Sequence, residues 1–281
     1  MKTFLECIPC FFEQALRTAR IATDDEAVIK KVLDELGDAI KNIPLENTPP
    51  QTGRLIYGLV NKITNNSDPY KHIKKESTQK ALKLYPFLKE KVKKSNDRLL
   101  TAVRIAIVGN IIDFGVNKKF DIDKEISEIF EKKFAINHYQ KFKERLHHAD
   151  NILYIGDNAG ESVFDKILIE EMNKPTMYVV REIPVINDVT YQDALDAGLD
   201  KVATIISSGT DAPGTVLSTC SNEFKRIFED SEFTIAKGQG NYEALSNEKE
   251  SIFFLLKTKC KVIANDIDVT EGDIILKGIN V

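Results

Sequence analysis

Apolar positions recur at helical spacing through the first half of the chain and in short, partly β-branched runs through the second. Phe4, Cys7, Phe11 and Leu16 share an approximate face with Ile8 and Phe12 beside it. Asp24 and Asp25 precede a second face of Val28, Val32, Leu36 and Ile40, and Pro49 and Pro50 open a third helix through Leu55, Ile56, Leu59 and Ile63. The Lys-rich stretch from Tyr70 to Lys94 keeps Leu82, Leu84, Phe87 and Val92 as its apolar positions and reads as a solvated helical face. Arg98 to Gly115 is the most apolar helix candidate, with Arg104, Asn110 and Asp113 inside or beside it. Such groups need partners, since a buried polar group left unpaired costs about 1–3 kcal/mol. Two amphipathic stretches, DKEISEIFEKKF and HYQKFKERLHHA, complete a helical region over residues 1–149.

After Asp150 the period changes. Asn151–Ile155, Thr176–Val180 and Val202–Ile206 are short apolar runs separated by helix-like stretches, the rhythm of parallel strands joined by crossover helices. Phe233–Ala236, Ile252–Leu256 and Val262–Ala264 are expected as later strands, with Ile274–Leu276 pairing at an edge. The expected fold is α/β: a doubly wound, largely parallel sheet in residues 150–281, with a helical N-terminal domain packed on it.

Four of the strand ends carry polar residues that a turn alone does not require. Gly156, Asp157, Asn158, Gly160 and Glu161 follow the first, and the helix opened by Gly160 and Glu161 turns its amide end toward that strand tip. Arg181 and the segment PVINDVT, with Asn187 and Asp188, follow the second. The third ends in Ser207, Ser208, Gly209 and Thr210, and the fourth in Lys237 before GQGN. In a parallel sheet these ends lie along one edge, where open α/β sheets bind ligands. Two carboxylates, two amides and a cation around one cleft suit a hard divalent ion such as Mg²⁺ or Mn²⁺, with lysine and loop amides for a phosphate.

Composition narrows the partners. The chain of 281 residues has 39 Lys and Arg against 43 Asp and Glu, a formal charge of −4, so nothing general draws it to nucleic acid or acidic membrane. No apolar run approaches spanning length, Glu6 interrupts the N-terminal apolar stretch, and four cysteines are too few for a disulfide scaffold. A cytoplasmic protein is expected. Cys7 and Cys10 are spaced to share a helix face and are candidates for a second metal or a redox pair, with buried structural cysteines as the simpler alternative. His147-His148 has no spaced acidic partner, and DIDVT near the C-terminus reads as a turn, because only a short tail follows it.

These residues resemble the damage-control phosphatases, the domain-of-unknown-function-89 family related to the acidic-residue-methyltransferase-like proteins. The likeness spans nearly the whole chain and rests on Cys7-Ile8-Pro9-Cys10, the segment Gly109 to Asp113, GDNAGE at Gly156 to Glu161, Asn187-Asp188, and KGQGN from Lys237 to Asn241. It points to the shorter, CxxC-bearing microbial branch. The resemblance implies a divalent metal (Mn²⁺, Ni²⁺, Co²⁺ or Mg²⁺) on Asp157, Asn158 and Asp188, and hydrolysis of small phosphorylated metabolites. It also implies substrate contacts from Glu161 and Lys237. Ser208 and Gly209 are further candidates for the phosphate, in a loop where SSGTD replaces the Arg-Thr-Ser-Lys motif of the larger eukaryotic members. Asp157 and Asp188 are the catalytic candidates; sequence does not choose which of them, or Glu161, acts as base or nucleophile. Two other readings compete: an S-adenosylmethionine-dependent methyltransferase, which lacks the glycine-rich loop it would need after the first strand, and a non-catalytic metal or nucleotide binder.

Overall fold

The first helices begin where short polar side chains precede an apolar face. In the computed structural model, which describes residues 1–109 and 132–281, α1 spans Cys7–Ala22 and α2 spans Glu26–Ala39. The Asp25 side chain accepts from the amides of Ala27 and Val28 at the start of α2. Helix α3, Pro49–Thr64, starts with a capping box between Thr48 and Gln51. Phe11, Ala15, Ala19, Ile29, Val32, Leu36, Ile56 and Val60 close a small core among these three helices. Helices α4 (Lys71–Lys94) and α5 (Arg98–Val108) follow. Asn110 and Asp113, and most of the DKEISEIFEKKF stretch, lie outside the described residues.

The second half supplies β1 (Phe134–Asn137), α6 (Tyr139–His148), β2 (Ile152–Ile155), α7 (Ser162–Met172), β3 (Thr176–Val180) and α8 (Tyr191–Asp196). It continues with β4 (Thr204–Ser207), α9 (Asn222–Glu229), β5 (Thr234–Lys237), α10 (Gly238–Leu245), β6 (Ile252–Lys257), α11 (Lys261–Asp266) and β7 (Ile274–Ile279). The seven-stranded sheet runs β1-β7-β6-β5-β2-β3-β4. Strands β2 to β6 are mutually parallel, β7 is antiparallel to β6, and β1 pairs parallel with β7.

Alternate side chains feed two cores, as a doubly wound sheet requires. Ile152, Tyr154, Tyr178, Val180, Ile235 and Phe253 face α4 to α7, whereas Leu153, Ile155, Val179, Ala236 and Phe254 face α9 to α11. Two expectations need correction. Val262–Ala264 is part of helix α11, because so short a run buries only Ile263 and Ala264 on one side. Strand β7 lies inside the sheet, and the edge beside it belongs to β1, whose four residues alternate between half-buried and exposed. The sheet therefore takes in residues on the N-terminal side of Asp150.

Lys74 joins the two halves. It is 3% exposed, and its ammonium lies 3.2 Å from Asp68 and 3.0 Å from Asp193, the residue that also caps α8 through Thr190. Removing one member of a buried ion pair strands the other charge, at about 3–5 kcal/mol. Lys74→Ala is expected to lower stability by about that much in urea unfolding. Adding Asp193→Ala should cost less than it does alone, since both changes break one pair.

Candidate cation and phosphate site

Strands β5, β2, β3 and β4 are consecutive and parallel, so the four polar strand ends share one edge. The turns after β2 and β3 are clamped together. Val189 donates its amide to the Asp157 carbonyl at 2.8 Å and Ala159 to that of Asn187 at 2.9 Å, and Asn158 and Asp188 form an antiparallel bridge. Ile186, two residues before Asp188, holds φ at 41°. A branched side chain pays about 1–3 kcal/mol for such backbone, so the cross-turn bonds must enforce it.

Side chains then lock one another. The Asn158 Nδ2 donates to Asp157 Oδ2 at 3.0 Å and to Glu161 Oε1 at 2.5 Å. Both partners are acceptors, which fixes the amide's orientation and leaves Oδ1 as the atom to meet a cation. Arg181, 1% exposed, donates to Asp188 Oδ2 at 2.8 Å, to Thr215 Oγ1 at 3.0 Å and to Asn241 Oδ1 at 3.1 Å. Asn241 in turn donates to the carbonyls of Gly156 and Lys237 at 3.0 and 2.7 Å, joining β2 to β5. Lys237, also 1% exposed, donates to Asp165 Oδ1 at 2.5 Å and lies 3.4 Å from Glu161 Oε2. Gly238 follows with φ 78°, and a Cβ there would stand 2.0 Å from Asp157 Oδ2. Only glycine lets the start of α10 come so close to that acid.

Charge in this cluster is unbalanced. Among the described residues Asp157, Glu161, Asp165 and Asp188 are buried here with Arg181 and Lys237 as their buried cations, a formal excess of two buried negative charges that the exposed Lys259 partly offsets. Burial pushes Asp157 above the usual carboxylate range, against the opposing charges of Lys259, Arg181 and Lys237, and lifts Glu161 and Asp188 to about 7. Arg181 opposes the rise at Asp188, and the Asp157 charge adds to it. Among the described residues no three His, Cys, Asp or Glu side chains converge as a metal cage. A cation in the cleft would rest on the Asp157 and Asp188 carboxylates with amide or water oxygens completing its shell, a donor set suited to a hard ion. The residues fit a divalent metal on three grounds: the excess charge, the raised carboxyl groups and the oriented amide.

The structure thus brings together Asp157, Asn158, Glu161, Asp188 and Lys237 as the sequence suggests. Ser208 and Gly209 form a turn: the Ser208 hydroxyl donates to the Val180 carbonyl at 2.9 Å and the Gly209 amide to Ser207 Oγ at 3.0 Å. Cys7 is half-buried and Cys10 exposed, with Gln14 donating to Cys10 Sγ at 3.0 Å; all four cysteines are free thiols. Asp165 and Thr215 are not singled out from the sequence, and Asn241 enters only as the end of the KGQGN motif, without a role. Of these, Asp165 carried a signal, an acid four residues after Glu161 on the apolar face of α7.

Fold and site define an α/β protein that gathers acids, amides and buried cations at the carboxyl ends of parallel strands. Residues 3–275 match the profile described as the damage-control phosphatase ARMT1-like domain, and the chain belongs to that family. It is 36% identical to a damage-control phosphatase of Pyrococcus horikoshii, over 98% of this chain and 97% of that one. It is 32% identical to a damage-control phosphatase of Archaeoglobus fulgidus over 99% of each chain. An uncharacterised protein of Methanocaldococcus jannaschii is 35% identical over 96% of this chain and 93% of its own. The crystal structure of a DUF89 family protein from Pyrococcus horikoshii superposes with a TM-score of 0.91 at 35% identity, covering 98% of both chains.

The raised acids set the sign of a pH effect. Asp188 and Glu161 rise from ordinary values of 3.8 and 4.5 to about 7, so the folded chain keeps protons that the unfolded chain releases. The stability they contribute is full below about pH 4 and is lost as pH rises through about 7. In chelator, the urea midpoint is expected to be lower near pH 8 than near pH 5; a rise over that window contradicts the assignment. Gly238→Ala is expected to cost about 1–2 kcal/mol for the backbone alone. Displacement of the Asp157 carboxylate should also abolish any activity that depends on that acid, as an activity assay on the folded variant would show.

Proposed function

We propose that this chain is a divalent-metal-dependent phosphomonoesterase acting on small phosphorylated metabolites. The observation that carries the reading is the buried excess of two negative charges beside an oriented amide, with a buried lysine on the far side of Glu161. Asp157, Asn158 and Asp188 would hold the ion, and when bound it supplies Lewis acidity toward a phosphoryl oxygen and toward water. Arg181 holds Asp188 by one carboxylate oxygen and leaves the other as a ligand atom. The Asn158 amide keeps Asp157 and Glu161 in register. Lys237 contributes fixed positive charge for the equatorial oxygens of a transferring phosphoryl group, in a site where water is largely excluded. Glu161, lifted to about 7 chiefly by burial, can take and return a proton near neutral pH. Mn²⁺, Co²⁺, Ni²⁺ and Mg²⁺ all accept such donors. The described helices include none long and apolar enough to cross a membrane. With four free thiols, this suits a cytoplasmic enzyme.

Phosphate release from a panel of sugar phosphates with each of these four ions tests the proposal. Turnover is expected with at least one ion and none in chelator. Asp157→Ala and Asp188→Ala should each reduce it by more than about a hundredfold, the upper end of what outer-shell partners of a metal cost. Absence of turnover with every ion would reject the reading.

A further inference from the structure

Asp165 has no direct place in the chemistry just described, yet it is 0% exposed and holds three side-chain hydrogen bonds. Tyr154 and Tyr178 are register partners on β2 and β3, stacked with ring centroids 5.5 Å apart. Their hydroxyls donate to different oxygens of the one carboxylate, Tyr154 to Oδ1 and Tyr178 to Oδ2, each at 2.8 Å. The Asp165 plane is thereby fixed from the sheet below. Its Oδ1 also receives the Lys237 ammonium at 2.5 Å. The neighbours of Asp165 on α7 are the fully buried Val163, Phe164, Ile167 and Leu168, where an apolar side chain would pack at no electrostatic cost.

We propose that Asp165 is a positioning residue of the phosphatase site, which the tyrosine pair orients and which acts through Lys237. A lysine stem has several rotatable bonds, and an ammonium left to wander must be ordered again for each substrate. Asp165 and Glu161 lie one helical turn apart and grip that ammonium from one helix face, so the ordering is done on folding. The same Glu161 receives the Asn158 amide, so the position of the lysine is fixed relative to the proposed ion ligands. The burial of Lys237 favours its neutral form, and the facing Asp165, Glu161 and Asp157 charges outweigh it and keep the ammonium charged. This inference rests on the reading that Lys237 meets the phosphoryl group.

The test is a double-mutant cycle on phosphate-ester turnover by the full chain, using para-nitrophenyl phosphate and Mn²⁺. Asp165→Asn is expected to lower kcat by about 10–100-fold, the range for groups that orient a functional partner, with Mn²⁺ affinity unchanged. Its alkaline pH–rate limb should move to lower pH, since the ammonium loses one facing carboxylate. In a Lys237→Met background the same change should do nothing further. Wild-type kcat in Asp165→Asn, or losses that multiply in the double variant, overturn the proposal while the phosphatase reading stands. Lys237→Met with wild-type turnover overturns the proposal together with the reading that Lys237 meets the phosphoryl group, and again leaves the phosphatase reading standing. Should Asp165→Asn not fold, Tyr178→Phe with Lys237→Met completes the cycle by the same criterion, with a smaller effect in the same direction.

Discussion

Four carboxylates buried beside two cations are the constraint that the rest of this structure serves. Such an arrangement is costly unless each charge is paired or a further cation joins it. Each acid therefore has a named partner: Arg181 for Asp188, the Asn158 amide for Asp157 and Glu161, and two tyrosines and Lys237 for Asp165. The pairing leaves the excess of two concentrated where the Asp157 charge raises the proton affinity of Asp188. On the proposed metal reading, a divalent ion and protons would compete near neutral pH for the same oxygens, and the local field would favour whichever brought more positive charge.

Parallel topology is what makes that concentration affordable. Every strand in the β5-β2-β3-β4 run ends on the same edge, so residues far apart in sequence need only short turns to meet. Backbone bonds between the turns after β2 and β3 carry the precision, and Asn241 ties β2 to β5 from the opposite side. Arg181 reaches Thr215 in the loop beyond β4, so a single buried guanidinium connects three of the four ends. Its planar fork suits this better than a lysine, because three separate acceptors are addressed at fixed angles.

The polar strand ends were legible in the sequence because each acid or amide follows directly on an apolar run, and their proximity follows from the parallel rhythm alone. The supports were not legible for the opposite reason. Asp165 meets Lys237 across 72 residues of chain and Asn241 meets Gly156 across 85, contacts that no local pattern encodes. The same locality explains the loop after β4. Ser208 and Gly209 look like a phosphate loop in composition, but serine and glycine serve turns equally well, and here the hydroxyl is spent on Val180. Strand β1 escaped because its four residues, alternately half-buried and exposed, are too few to establish a period and adjoin a stretch with helical spacing, and α11 was mistaken for a strand because three apolar residues fit either period.

The helical half bears on both sides of the cleft. Helix α4 presses Ser77 against Gly160, where a Cβ would lie 2.9 Å from the serine Cβ, so the turn carrying Asp157 and Asn158 is held from above. Lys74, one turn earlier on the same helix, reaches the segment that follows Asp188. Helix α3 meets the loop beyond β4 through the Arg54–Asp211 ion pair. The acids and their partners are thus set by the sheet, while one wall comes from α3, which has a core of its own with α1 and α2, and the other from α4, which packs on the sheet. Changes on the exposed faces of α3 and α4 can reshape those walls without moving an acid, because the bonds that fix Asp157, Asp188 and Lys237 all originate within the α/β half.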